Sequence, residues 1–306
     1  MYPESHPVRV SITHTTRLTY GAHVVEGVMD VRLGPYSDAD QRWLEYSLRA
    51  TPSAAIRQYH DGFGNIAHLV TIARPHDAVE LVARAVVDTL LDDPFRLPLS
   101  PPSPLHPSEV ADYLTPSAIV PADAALVTMA EPFRPSQPGD TLEAVQGLMA
   151  LVYDGFQYEQ HVTTVATTVP EVLKGRTGVC QDFAHVLIGL CRAIDIPARY
   201  VSGYIVPRQA EGQQQRQTLG SMSQSQMLRS RQEPSRGAGA SHAWVEVYTP
   251  THGWRGFDPT NNLLASTYHV KMGIGRDYND VPPTRGTFRG MAKEELAVDV
   301  VARILD

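Results

Sequence analysis

With 306 residues, 42% of them hydrophobic, the chain is long enough for one large or two medium domains around a sizeable core. Its net charge is −7 and its arginines are scattered, so nothing electrostatic argues for nucleic acid or an anionic membrane as partner. Two cysteines cannot form a disulfide framework, and no apolar run reaches membrane-spanning length.

The first third reads as β. Val10, Ile12, His14, Thr16, Leu18 and Tyr20 share one face of a strand, and Val25, Gly27, Met29, Val31 and Leu33 alternate again. A third segment runs near Trp43 to Leu48. Ile56 to Tyr59 and Ile66 to Ile72 flank Asp61-Gly62-Phe63-Gly64-Asn65, a turn of residues that tolerate positive φ. Residues 77–91 suit either period, since Val79, Leu81, Ala83, Ala85 and Val87 alternate while Val82, Val86 and Leu90 fit a helix. These segments predict an antiparallel sandwich-like domain over 1–92.

Pro94 to Pro107 holds six prolines, which cannot run through a helix or a central strand. Residues 93–139 therefore read as a connection, and 140–306 as a second domain. Gly139-Asp140-Thr141 is an N-cap signal for a helix over about 141–155, and Glu171 to Gly175 forms a short helix closed by glycine. From Cys180, a stripe of Phe183, Leu187, Leu190 and Ile194 predicts a core helix, ended by Asp195-Ile196-Pro197 and followed by a strand over Ala198 to Ile205.

Residues 207–240 are rich in Gln, Ser, Arg and Gly and offer little to bury, which predicts a disordered surface insertion. Ser241 to Val247 and Gly253 to Phe257 read as strands, Asn261-Asn262 and Gly275 to Tyr278 as loops, and Glu295 to Ile304 as a last strand of the second domain.

Three residues on separate short elements carry the chemistry. Cys180 opens its helix, where unpaired N–H groups and the positive end of the macrodipole favour a thiolate. His242 begins a strand and Asp258 ends one. Cys, His and Asp suit a thiol nucleophile, its base and the group that orients the base. Cys191 reads as a small core residue. It lies roughly 16 Å from Cys180 along the helix axis, beyond the ~7 Å a disulfide allows. Asp182 reads as a stabiliser of the helix start, Trp244 and Trp254 as packing beside the site, and His185 and His252 as surface or structural. No CxxC or HExxH anchor accompanies Cys180, His242 and Asp258, so neither a metal nor a cofactor is expected.

The words GVCQDFAHVLIGLCRAIDIPARYVSGY (178–204), SHAWVEVY (241–248) and GWRGFDPTN (253–261) resemble the three signature blocks of the transglutaminase-like superfamily, over about 135–306. The β-rich start and the word GRDYNDVPPTRG (275–286) resemble a bacterial subgroup with an N-terminal β domain. The resemblance implies an α+β chain whose core has the papain-type fold, a Cys-bearing helix packed on an antiparallel sheet that carries His and Asp. It assigns Cys180 as nucleophile, His242 as base and Asp258 as orienter. The insertion at 207–240 is longer than that pattern. Animal members use calcium, but no EF-hand-like loop is present, so no metal is carried over.

The chemistry so implied is attack of the Cys180 thiolate on an amide carbonyl of a peptide or protein, giving a thioester that a second nucleophile resolves. Water as that nucleophile makes a protease, amidase or deamidase, and a lysine amine makes a transglutaminase. Hydrolysis is the first reading, because microbial relatives of this type resemble hydrolases more often. Non-catalytic readings are an interaction module or an inactive papain-type fold, against which the complete set of three residues argues. With free thiols and an N-terminus, Met1 to Pro7, that has neither a basic nor an apolar region, the expected compartment is the cytoplasm.

Overall fold

Alternation over the first strand sets the architecture. In β1 (Val8–Val24), Val10, Ile12, His14, Thr16, Leu18 and Tyr20 are all buried while the residues between them are half-buried or exposed. The computed structural model describes residues 7–206 and 241–305. The predicted insertion at 207–240 lies outside the described residues.

After β1 come β2 (Glu26–Val31), β3 (Gln41–Thr51), β4 (Ala55–His60), β5 (Ile66–Ile72) and β6 (His76–Thr89). The ambiguous segment is thus a strand: only the period of two turns Val79, Leu81, Ala83, Ala85 and Val87 into the core together. Two antiparallel sheets form, in the orders β15-β1-β6-β3 and β14-β2-β5-β4. Their outermost strands, β14 (Thr284–Arg289) and β15 (Glu294–Leu305), come from the far end of the chain. This corrects the assignment of all of 140–306 to the second domain. β1 has a free edge that needs a partner, and the alternating C-terminal segment supplies one along twelve residue pairs, from Arg9↔Leu305 to Tyr20↔Glu294.

The connection is more structured than its prolines suggest. Pro107 occupies the first turn of α1 (Pro107–Leu114), where a missing N–H costs nothing, and Asp123 caps α2 (Ala124–Ala130) through the Ala125 N–H. The second domain follows with α3 (Thr141–Gly155), β7 (Gln157–Tyr158), α4 (Val169–Gly175), β8 (Thr177–Gly178) and α5 (Cys180–Ala193). A five-stranded antiparallel sheet completes it, in the order β12-β11-β10-β9-β13. Its strands are β9 (Ala198–Ile205), β10 (Ser241–Thr249), β11 (Gly253–Asp258), β12 (Leu263–Leu264) and β13 (His269–Gly275).

The helix α5 is buried nearly all round rather than along one stripe. Phe183, Ala184, Val186, Leu187, Ile188 and Leu190 are each 0% exposed. One side packs on β9 and β10 and the others meet α2, α3 and α4, so the helix is a central rod whose position is over-determined.

The opposite face of the central sheet meets Tyr36 and Phe63 of the β-rich domain, which pack against Val201, Trp244 and Ile274, and the β9–β13 side of the sheet receives its strands. Val10, Ile12, Ala85 and Val87 pack against Tyr204, Val270 and Met272. Two side-chain amides seal the edge strand β13. Gln41 brackets Lys271, accepting its N–H at 2.7 Å and donating to its carbonyl at 2.7 Å, and Asn65 does the same at Ile274, at 2.8 Å each. Between them lies a buried ion network in which Lys271 meets Asp38 and Glu246, and Glu246 also meets Arg199.

Candidate active site

Pleating aligns two of the expected residues. Val245 on β10 stands opposite Phe257 on β11, so Trp244 and Asp258 share a face, and His242, two residues before Trp244, shares it too. Because the strands are antiparallel, the start of β10 and the end of β11 fall at one end of the sheet. His242 Nε2 lies 2.9 Å from Asp258 Oδ2 with both side chains fully buried, and the His242 ring stacks on Trp244 at 6.3 Å between centroids.

Asp258 is held on all sides. Oδ1 accepts the backbone N–H groups of Thr260 at 2.9 Å and Asn261 at 3.2 Å, an Asx-type turn that Pro259 helps to set. Oδ2 accepts from Asn261 Nδ2 at 2.8 Å, from His242, and from His269 Nε2 at 3.4 Å. Burial pushes this carboxyl up, but the charge and hydrogen bond of His242, with the hydrogen bond of His269, prevail and hold it far below the usual carboxylate range. An ionised carboxylate only accepts, so His242 Nε2 carries the proton it donates.

That leaves His242 Nδ1, which is buried without a conventional hydrogen-bond partner, as the nitrogen open to the thiol. Cys180 lies near enough for its charge to raise this imidazole. Burial pulls the imidazole down, yet Asp258 and Cys180 together raise it to about 10. The Cys180 N–H, at the first position of α5, has no intrahelical acceptor. Asp182 completes the helix start: its Oδ2 accepts from the Val179 N–H at 2.8 Å and from the Thr163 hydroxyl at 2.6 Å, the stabilising part expected of it. Gly178 is required there, because a Cβ would fall 2.7 Å from Asp182 Oδ2.

The three expected residues therefore converge at one end of the sheet, Cys180 half-exposed and the other two buried. Cys191 is fully buried and its thiol is pushed up to about 12 by that burial. His185 is structural and not at the surface: it is 1% exposed and its Nε2 accepts the Tyr278 N–H at 3.2 Å. Sequence reasoning missed His269: His269 to Met272 alternate as a strand does, but the segment lies beyond the Asp258 block and none of the predicted elements covers it. It also missed Asn261 as a ligand of Asp258, although the Asp-Pro-Thr-Asn spacing carried that signal.

Residues 128–259 match the core of the transglutaminase-like superfamily, and residues 10–88 match the bacterial transglutaminase-like N-terminal region. The chain belongs to the transglutaminase-like superfamily. An uncharacterized protein of Mycobacterium tuberculosis is 31% identical over 98% of this chain and 94% of its own length. One of Mycobacterium leprae is 26% identical over 97% and 98%. The crystal structure of a candidate cysteine protease from Cytophaga hutchinsonii superposes with a TM-score of 0.73 at 23% identity, over 99% of this chain and 92% of that one. That likeness spans both domains and supports the transglutaminase-like, papain-type fold.

Proposed function

We propose that this transglutaminase-like protein is a cysteine-dependent acyl-transfer enzyme acting on peptide or side-chain amides, with hydrolysis as its reaction. Cys180 is the nucleophile, His242 the base and Asp258 the orienting carboxylate. The observation that carries this is a buried imidazole with Nε2 fixed on a carboxylate and Nδ1 left open beside the thiol at a helix start. An imidazole biased towards its charged form stabilises an adjacent thiolate.

In the resting thiolate–imidazolium pair His242 Nδ1 already holds the Cys180 proton, and the sulfur attacks the amide carbonyl carbon. The developing oxyanion is met by the Cys180 backbone N–H. The C–N bond breaks as His242 returns the proton to the leaving amine, and a thioester remains. Water, deprotonated by His242, attacks the thioester, releasing a carboxylic acid and the thiol. The Cytophaga protein being named a candidate protease agrees with water as the acceptor.

Incubation with glutamine-containing peptides, with and without a primary amine, tests this by mass spectrometry. Cleaved or deamidated products that vanish in Cys180→Ala are expected. Amine-linked product as the main species would replace hydrolysis by transamidation, and product formation unchanged in Cys180→Ala would overturn the assignment.

A further inference from the structure

His269 is absent from the three-residue reading, yet it reaches the same carboxylate oxygen as His242. Its Nε2 lies 3.4 Å from Asp258 Oδ2, and its side chain is 5% exposed. The other nitrogen fixes its tautomer. Nδ1 accepts the Ser266 backbone N–H at 3.4 Å, and a backbone amide can only donate, so the Nε2 facing Asp258 carries the proton. His269 is therefore oriented as a donor to the carboxylate. Trp244 touches both imidazoles, stacked on His242 and edge-on to His269 at 5.3 Å.

The location of His269 is itself enforced. It opens β13, which pairs with β9 on one side, placing His269 opposite Ile205. On the other side Gln41 grips Lys271, two residues away, by both backbone groups. One residue of the β-rich domain thus holds the strand from which His269 reaches the carboxylate.

We infer that His269 is a positioning residue of the site: it holds Asp258 Oδ2 in the direction of His242, so that Nδ1 stays aimed at Cys180. The inference rests on the proposed triad. The other donors to Asp258, the Thr260 and Asn261 N–H groups and Asn261 Nδ2, all come from its own turn, whereas His269 reaches Oδ2 from a different strand. Such a donor fixes direction as outer-shell partners do for metal ligands, whose loss typically costs about 10- to 100-fold.

The test uses the full-length protein and needs no substrate. Asparagine and glutamine at 269 are both polar and amide-bearing, but only glutamine places its N–H₂ where the imidazole Nε2 lies. The rate of Cys180 alkylation by iodoacetamide at neutral pH, and the low-field NMR signal of the His242 Nε2 proton, are compared in wild type, His242→Ala, His269→Gln and His269→Asn. We expect roughly tenfold slower alkylation and a displaced His242 signal in His269→Asn, with both restored to within about threefold and near the wild-type shift in His269→Gln. Equal rates and an unmoved signal in both variants overturn the role of His269. So do equal losses in both, which would mean bulk packing alone. If His242→Ala itself leaves alkylation unchanged, the underlying triad fails instead, which separates the two outcomes.

Discussion

At the scale of single residues, the two cysteines of one helix are set apart by their surroundings. Cys180 is partly open at the first position of α5, whereas Cys191 is fully buried and its thiol is pushed up to about 12 by that burial. Thiolates react and thiols do not, so brief iodoacetamide treatment of the native protein at neutral pH is expected to label Cys180 far ahead of Cys191. Peptide mapping reads this directly, and equal labelling would remove Cys180 from its role. In the proposed mechanism Asp258 acts through His242 rather than on substrate. Asp258→Ala is expected to keep the fold yet lower turnover by roughly 10⁴-fold, less than the loss in Cys180→Ala. Measured kcat for the two variants decides it, and a wild-type rate in Asp258→Ala would contradict the account.

Among elements, the edge strand β13 shows how side chains can replace a missing neighbour. Gln41 satisfies the N–H and C=O of Lys271 with one amide, in a site that is 2% exposed. Gln41→Ala removes the partner of the Lys271 N–H, while the Lys271 carbonyl keeps the Tyr36 N–H at 3.1 Å, and is expected to cost about 1–3 kcal/mol. Urea denaturation measures it, and a loss under about 0.5 kcal/mol would show that β13 does not depend on the clamp.

Elements were unequally legible in the sequence. β1 and α5 declared themselves, because their apolar periods run over many residues and have one interpretation. Residues 77–91 did not, since a strand buried on one face and flanked by Val82 and Val86 satisfies both periods until a partner sheet chooses. β13 matches no predicted element although His269, Val270, Lys271 and Met272 alternate, and the alternation misleads about exposure, because both faces are buried and the polar residues find partners inside the protein. The three residues proposed as the triad were legible from local words, but the contact of His269 with Asp258 was not, since it depends on a strand pairing that no local pattern specifies.

For the whole molecule, the chain's two ends close the first domain: β14 and β15 pair with β2 and β1 across a sequence separation no periodicity reveals. Composition marks a boundary at the prolines, but which strands lie beside which depends on free edges. The interface between the domains also carries a pH response. His14 of β1 sits there, hydrogen-bonded to the Tyr204 hydroxyl at 2.7 Å and to Thr16 at 3.1 Å. Burial lowers it to about 4, against the opposing pull of Asp299. The unfolded imidazole, near 6.5, binds protons that the folded one does not, so stability is present above about pH 6.5 and is lost as pH falls towards 4. His14→Gln cannot titrate, so its stability should fall less over that window, by up to ~3 kcal/mol. The buried His185 titrates alike in both proteins and cancels. Parallel urea curves at pH 7 and pH 4.5 test this, and identical losses would show that His14 is not responsible.

The central claim is that Cys180, His242 and Asp258 act together to form a thioester. It is tested most directly by acid-quenched mass spectrometry after exposure to an activated acyl ester, with peptide mapping of the adduct. The account predicts a single acyl group on Cys180 in the wild type, none in Cys180→Ala, and a strongly reduced yield in His242→Ala. An adduct on another residue, or an equal yield in Cys180→Ala, would contradict it.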